Sequence, residues 1–112
     1  MLSVTNEALN EHAMQIILYA GEARNYINMA LDALYECNEE EYEEKIKEAR
    51  KASLAAHAEQ TKVLQETIEN QDMRLTILFT HAQDTLMTVM SEMNTAKHLA
   101  KIINMIKEKT HE

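Results

Sequence analysis

Proline is absent from this 112-residue chain, and glycine occurs once, at Gly21. These two residues are the strongest interrupters of a helix, so long unbroken helices are permitted. Tryptophan is also absent, and only 4% of the residues are aromatic. With eight methionines present, a core has to be assembled from Leu, Ile, Ala and Met, as in a helical bundle. Cys37 is the single cysteine, so no intramolecular disulfide can form. Nothing in the cysteine usage points to an oxidising compartment. No apolar run approaches the roughly 20 residues needed to cross a bilayer, so direct membrane insertion is not expected. No basic segment leads into an apolar stretch near Met1, so no signal peptide is expected and a cytoplasmic location is. Positive charge is scarce: the net charge is −8, with no basic stripe to neutralise phosphates, which argues against nucleic-acid binding.

What is present is periodicity. Leu9, Ala13, Ile16, Ala20, Ala23, Ile27, Ala30 and Leu34 follow one another at alternating steps of four and three. That spacing places them on one face of a long helix. Thr5 or Asn6 can cap its start. Asn38 followed by Glu41 resembles a capping box, and Tyr42, Ile46, Ala49 and Ser53 open a second series. This series continues through Ala56 or His57 and Gln60 or Thr61 to Leu64 and Ile68. Asp72 is a candidate cap for a third helix bearing Leu75, Leu78, Ala82, Leu86, Val89, Met93, Ala96, Ala100 and Ile103. The predicted helices cover about 6–36, 39–69 and 73–107. Short links make neighbours antiparallel, so the expected fold is an all-α, up-down-up antiparallel three-helix bundle in one domain.

Apolar residues also lie beyond the seams: Met14, Ile17, Leu31, Ile77, Met87, Met90, Ile102 and Ile106. One explanation is a broad monomer core; the other is a second buried surface and hence self-association. The methionines read as core filler. Gly21 costs about 1 kcal/mol relative to alanine, so it marks either close packing against a neighbouring helix or room for a ligand or partner.

Polar residues interrupt the stripes at His57 and Gln60, which form a candidate buried pair fixing the register. His81 and Asp84, three residues apart, share a face of the third helix with Thr88, Ser91 and Thr95. This pair is either a satisfied core histidine with its partner or a chemical site. Two ligands at this spacing are too few for a metal on their own. His12, His98 and His111 read as ordinary surface residues.

The segments AGEAR at 20–24, AHAEQTKVLQ at 56–65, HAQDTLMT at 81–88 and LAKII at 99–103 occur in order, spread over the three helices. Together they resemble the IIA component of the lactose/cellobiose (chitobiose) family of the phosphoenolpyruvate-dependent sugar phosphotransferase system. The resemblance implies a phosphoryl carrier in which His81 takes phosphate from phospho-HPr and gives it to the cysteine of a cognate IIB component. A membrane IIC component then imports the sugar, a β-linked disaccharide. It also implies a homotrimer with Asp84 beside a divalent cation, such as Mg²⁺, at the trimer interface. The motif departs from the usual HAQDHLMT in carrying Thr85 where a second histidine is common.

A neutral imidazole nitrogen is a competent nucleophile near pH 7. Phosphoryl transfer then depends on in-line positioning and on donors for the phosphate oxygens. Gln60, Gln83, His57 and Thr80 are the candidate donors, and an acceptor beside His81 is expected to orient its other ring nitrogen. A helical interaction module or a regulatory member of the family is the alternative reading.

Overall fold

The computed structural model describes residues 6–69 and 76–110, with nothing said of the side chains of Asn6 and Ile68. Three helices account for nearly all of them: α1 (Asn6–Tyr35), α2 (Glu39–Glu69) and α3 (Ile77–Thr110). Among the described residues there is no strand. The link between α1 and α2 is so short that the pair must form an antiparallel hairpin. Thr76 reaches Asn10 and Arg24 reaches Glu92, so α1 and α3 run in the same direction. Lys107, near the end of α3, meets Glu39 at the start of α2, so those two are antiparallel. The up-down-up order expected from the periodicity is therefore the one observed.

The α1–α2 corner satisfies the orphan groups of both helices. Asn38 N–H donates to the Ala33 carbonyl (2.9 Å) and Cys37 N–H to that of Leu34 (3.1 Å), the Schellman pattern. Asn38 then caps α2, its side-chain oxygen accepting from Glu41 N–H at 3.1 Å. The Schellman turn requires a left-handed residue, and Cys37 occupies that place at φ 58°. Glycine is the residue that adopts this conformation without a Cβ penalty.

The third helix begins later than the sequence pattern suggested. Thr76 lies outside it and caps it: the Thr76 hydroxyl accepts from Phe79 N–H at 3.1 Å and donates to Asn10 Oδ1 at 2.8 Å. The helix therefore starts at Ile77 rather than at 73, and it continues to Thr110 rather than 107. The proposed caps Thr5 and Asp72, with Leu75, lie outside the described residues.

The core has two parts. Towards the α1–α2 corner, Ala20, Ala23, Ala30 and Ala33 of α1 join Ala49 and Ala52 of α2 in one cluster. Small side chains let helix axes approach closely. Towards the other end, Leu9, Ile16, Val63, Phe79 and Leu86 fill a wider space. Phe79 was not in the predicted seam, yet it is fully buried while Leu78 packs only at the margin. Ala56 and Gln60, not His57 and Thr61, complete the buried face of α2.

The apolar residues beyond the seams divide. Ile17, Leu31 and Met90 pack against the core, whereas Met14, Ile77, Met87, Ile102 and Ile106 are exposed. The explanation by one broad monomer core therefore fails for the second group. The methionines do not read as core filler either: Met93 is buried, but Met14, Met29, Met87 and Met105 face solvent. Gly21 has no atom within 4 Å of where a Cβ would stand, so close packing within this chain is not its reason.

Two outcomes follow. Cys37→Gly relieves the left-handed strain at an exposed position and raises stability by about 1 kcal/mol; an unchanged or lower urea midpoint contradicts this. Thr76→Ala removes the cap of α3 and its tie to α1, lowering stability by about 1–2 kcal/mol; an unshifted midpoint contradicts that assignment.

Candidate functional site

The position of the HAQD segment follows from the helix phase. Phe79, Ala82, Leu86 and Val89 are all fully buried, which fixes the inward face of α3 at its start. Successive residues of an α-helix are turned by about 100°, so residue 81 points nearly opposite residue 79. His81 and Asp84 are exposed accordingly. They belong to an outward stripe comprising Ile77, His81, Asp84, Thr88, Ser91, Thr95, Leu99, Ile102 and Ile106, every one of them exposed. The steps of three and four make this a second seam on α3, turned away from the first.

The reading of His81 as a satisfied core histidine bonded to Asp84 is thus overturned. Both side chains are at the surface, and neither has a side-chain hydrogen bond or ion pair among the described residues. The acceptor expected to orient the imidazole is accordingly not supplied by the described residues of the chain.

The candidate phosphate donors are not brought together around His81. Gln83 is half-buried and, two residues on, is turned about 200° around α3 from His81, so the two do not share a face. Thr80 is exposed, but its hydroxyl donates to the Thr76 carbonyl at 3.2 Å, so its proton is already engaged. Gln60 is only 8% exposed and sits among the inward residues of α2. His57 is exposed on α2, so the buried His57–Gln60 pair does not form. His12 is not an ordinary surface residue: its Nδ1 lies 2.5 Å from Glu59 Oε1, joining α1 to α2. His111 lies outside the described residues.

Hydroxyl groups dominate the neighbourhood of His81. Thr85 donates to the His81 carbonyl at 2.9 Å, and Thr88 to the Asp84 carbonyl at 2.8 Å. The residue at the family's second histidine position is therefore turned onto the backbone of the first.

Electrostatic perturbation lies elsewhere. Arg24 makes a paired contact to Glu92, with Nε and Nη2 each at 3.0 Å from a carboxylate oxygen. These hydrogen bonds hold the guanidinium above its ordinary pKa. Burial, and then the Glu43 charge, push the Tyr42 phenol above its ordinary value. Arg24 and Glu92 flank a groove of about 680 Å³ between α1 and α3, lined also by Leu31, Met87, Thr88 and Leu99. Leu31 and Met87 of this lining were among the apolar residues set beyond the seams in sequence, but the Arg24–Glu92 clamp was not singled out. The signal was there in Arg24 and Glu92, but a cross-helix pair at this separation has no local pattern.

Among the described residues no three His, Cys, Asp or Glu side chains gather as a metal site. Asp84 offers one unpaired carboxylate per chain. Nor is any helix of the described residues long and apolar enough to cross a membrane.

The model of the family described as "PTS system, Lactose/Cellobiose specific IIA subunit" matches residues 11–104. The lactose-specific EIIA component of Lacticaseibacillus casei is 29% identical over 107 residues, covering 96% of each chain. The lichenan-specific phosphotransferase enzyme IIA component of Bacillus subtilis strain 168 is 30% identical, over 92% of this chain and 94% of that one. Among solved structures, the crystal structure of PtcA from S. mutans superposes with a TM-score of 0.85 at 36% identity. That match covers 89% of this chain and 98% of the other. A helix phase that turns HAQD outward, a match over most of the length and a shared three-helix architecture agree: the chain belongs to the lactose/cellobiose IIA family and is a phosphotransferase-system component.

Proposed function

We propose that this chain is a cytoplasmic phosphohistidine carrier for the uptake of a β-linked disaccharide, with His81 as the phosphorylated residue. The exposure of the HAQD histidine on a helix whose opposite face is anchored by Phe79 supports this most directly. In the first step an unprotonated His81 nitrogen attacks the phosphorus of phospho-HPr. A new P–N bond forms, the donor P–N bond breaks, and its electron pair returns to the donor imidazole. In the second, the cysteine thiolate of the cognate IIB attacks the same phosphorus and the His81 P–N bond breaks. The IIC component then imports the sugar. An exposed imidazole on a rigid helix suits both approaches, because each partner has to reach it in line.

Within one chain Gln83, Thr80 and Gln60 are not well placed as donors: Gln83 is turned nearly opposite His81 on α3, the Thr80 hydroxyl is engaged and Gln60 is buried. The remaining donors are to come from the docking partner or from a second copy of the chain.

A homotrimer is the assembly proposed. The outward stripe of α3 has apolar ends, at Ile77 and at Leu99 to Ile106, and small polar residues between. Exposed apolar residues at regular helical spacing favour contact with another copy. Where three copies of Asp84 meet, their charges repel and lose hydration. A divalent cation such as Mg²⁺ supplies neutralising charge and takes oxygen ligands. The donor chemistry fits, since Asp84 has no cation paired with it among the described residues, but these present too few ligands in a single chain.

With phosphoenolpyruvate, enzyme I and HPr supplied, the wild-type chain gains an acid-labile phosphoryl mass, while His81→Ala stays at background. Because His81 is exposed, that variant keeps its stability within about 0.5 kcal/mol. Labelling of the variant at the wild-type rate contradicts the assignment. In sedimentation, chelation of divalent cations loosens the wild-type assembly, whereas Asp84→Leu stays trimeric with or without chelator. A variant still sensitive to chelation contradicts the metal role of Asp84.

A further inference from the structure

Some 25 Å along α3 from His81, a second groove of polar character runs between α2 and α3. It encloses about 310 Å³, at the lower end of the range for small-molecule sites. Its sides carry Arg50 from α2 and Lys97 and Lys101 from α3. Three cations on one groove are unexpected in a chain of net charge −8. Elsewhere Arg24 pairs with Glu92, Lys45 with Glu41, Lys62 with Glu59 and Lys107 with Glu39, while Lys47, Lys51 and Lys109 stand without an ion pair among the described residues and do not gather on one groove with cations of a second helix. Arg50, Lys97 and Lys101 have no carboxylate partner among the described residues. Their like charges repel one another, and an anion placed between them relieves that repulsion.

The other lining groups are suited to hydroxyls. Asn94 and Asn104 present side-chain amides, each able to donate and accept. Glu43 lies on the same groove. A carboxylate there disfavours a bare polyanion but accepts hydrogen bonds from a hydroxyl-bearing one. Buried Ile46 and Ala100 give the groove an apolar floor on which the carbon skeleton can rest.

We propose that this α2–α3 groove binds a phosphorylated polyol of sugar size, with the phosphate between Arg50, Lys97 and Lys101 and the hydroxyls at Asn94, Asn104 and Glu43. The site is separate from His81 and does not depend on the carrier reading. Binding is reversible and involves no covalent step.

The test is a titration of the full-length, ¹⁵N-labelled chain with glucose 6-phosphate, run in parallel with inorganic phosphate and with glucose. The His81→Ala variant is titrated alongside, so that failure of the carrier assignment leaves this result readable. The expected result is saturable amide shifts around residues 43–50 and 94–104 in both proteins, stronger than with inorganic phosphate and absent with glucose. Lys97→Gln combined with Lys101→Gln lowers the affinity at least tenfold while the helical spectrum is retained. Absence of saturation at this groove overturns the proposal, as does an affinity indifferent to the double substitution. Equal binding of inorganic phosphate removes the polyol component and overturns it too. So does saturation of the groove by a glutamate-rich peptide when the sugar phosphate fails.

Discussion

The rotational phase of α3 is the constraint on which the rest depends. Phe79, Ala82, Leu86 and Val89 are wholly buried, and together they leave the helix no freedom to turn about its axis. Burying a phenylalanine side chain is worth about 1.5–3 kcal/mol, so exchanging Phe79 for His81 in the core is strongly disfavoured. With that face fixed, the histidine and aspartate of HAQD must emerge into solvent. The Thr76 cap reinforces the same arrangement, since it ties the first turn of α3 to Asn10 on α1. An imidazole carried on an element that cannot rotate keeps a fixed direction of approach, which is what in-line transfer requires.

Much of the architecture was legible because helical periodicity is a local signal. The α1 seam from Leu9 to Leu34 is buried as spaced, and Asn38 caps α2 where the Asn38–Glu41 pattern placed it. Asp72 lies outside the described residues, whereas Thr76, which the sequence pattern did not single out, caps α3 and is tied to Asn10, 66 residues away, by a contact with no local signal. Phe79 escaped for a related reason: Leu78 and Phe79 both fit the spacing, and the wider end of the core decides in favour of the larger ring. Within the candidate site, residue identity was readable from the HAQD resemblance but geometry was not. Thr80 looks like a phosphate donor in sequence, whereas in the helix its hydroxyl turns back onto the carbonyl four residues earlier, as that of Thr85 also does. Gln60 looked misplaced on an apolar stripe, and it is buried there all the same.

The two faces of α3 divide the work between folding and recognition. The inner face is alanine and branched aliphatic residues around Phe79, and it holds the helix on α1 and α2. The outer face leaves Ile77, Leu99, Ile102 and Ile106 in water, a cost that a folded monomer alone does not recover. On α1, Gly21 has open space where a side chain would be, and Met14 and Leu18 are exposed. His81 and Asp84 stand on the surface of the single chain rather than in one of its pockets.

The central claim is that the imidazole turned outward by this helix phase is the atom group that carries phosphorus. Nitrogen–phosphorus coupling in the NMR spectrum of the ¹⁵N-labelled chain, recorded during turnover with phosphoenolpyruvate, enzyme I and HPr, measures it directly. The account predicts a coupling to one ring nitrogen of His81, with His12, His57 and His98 unchanged. A phosphorus coupled to any of those other rings, or to none while HPr itself is phosphorylated, contradicts it.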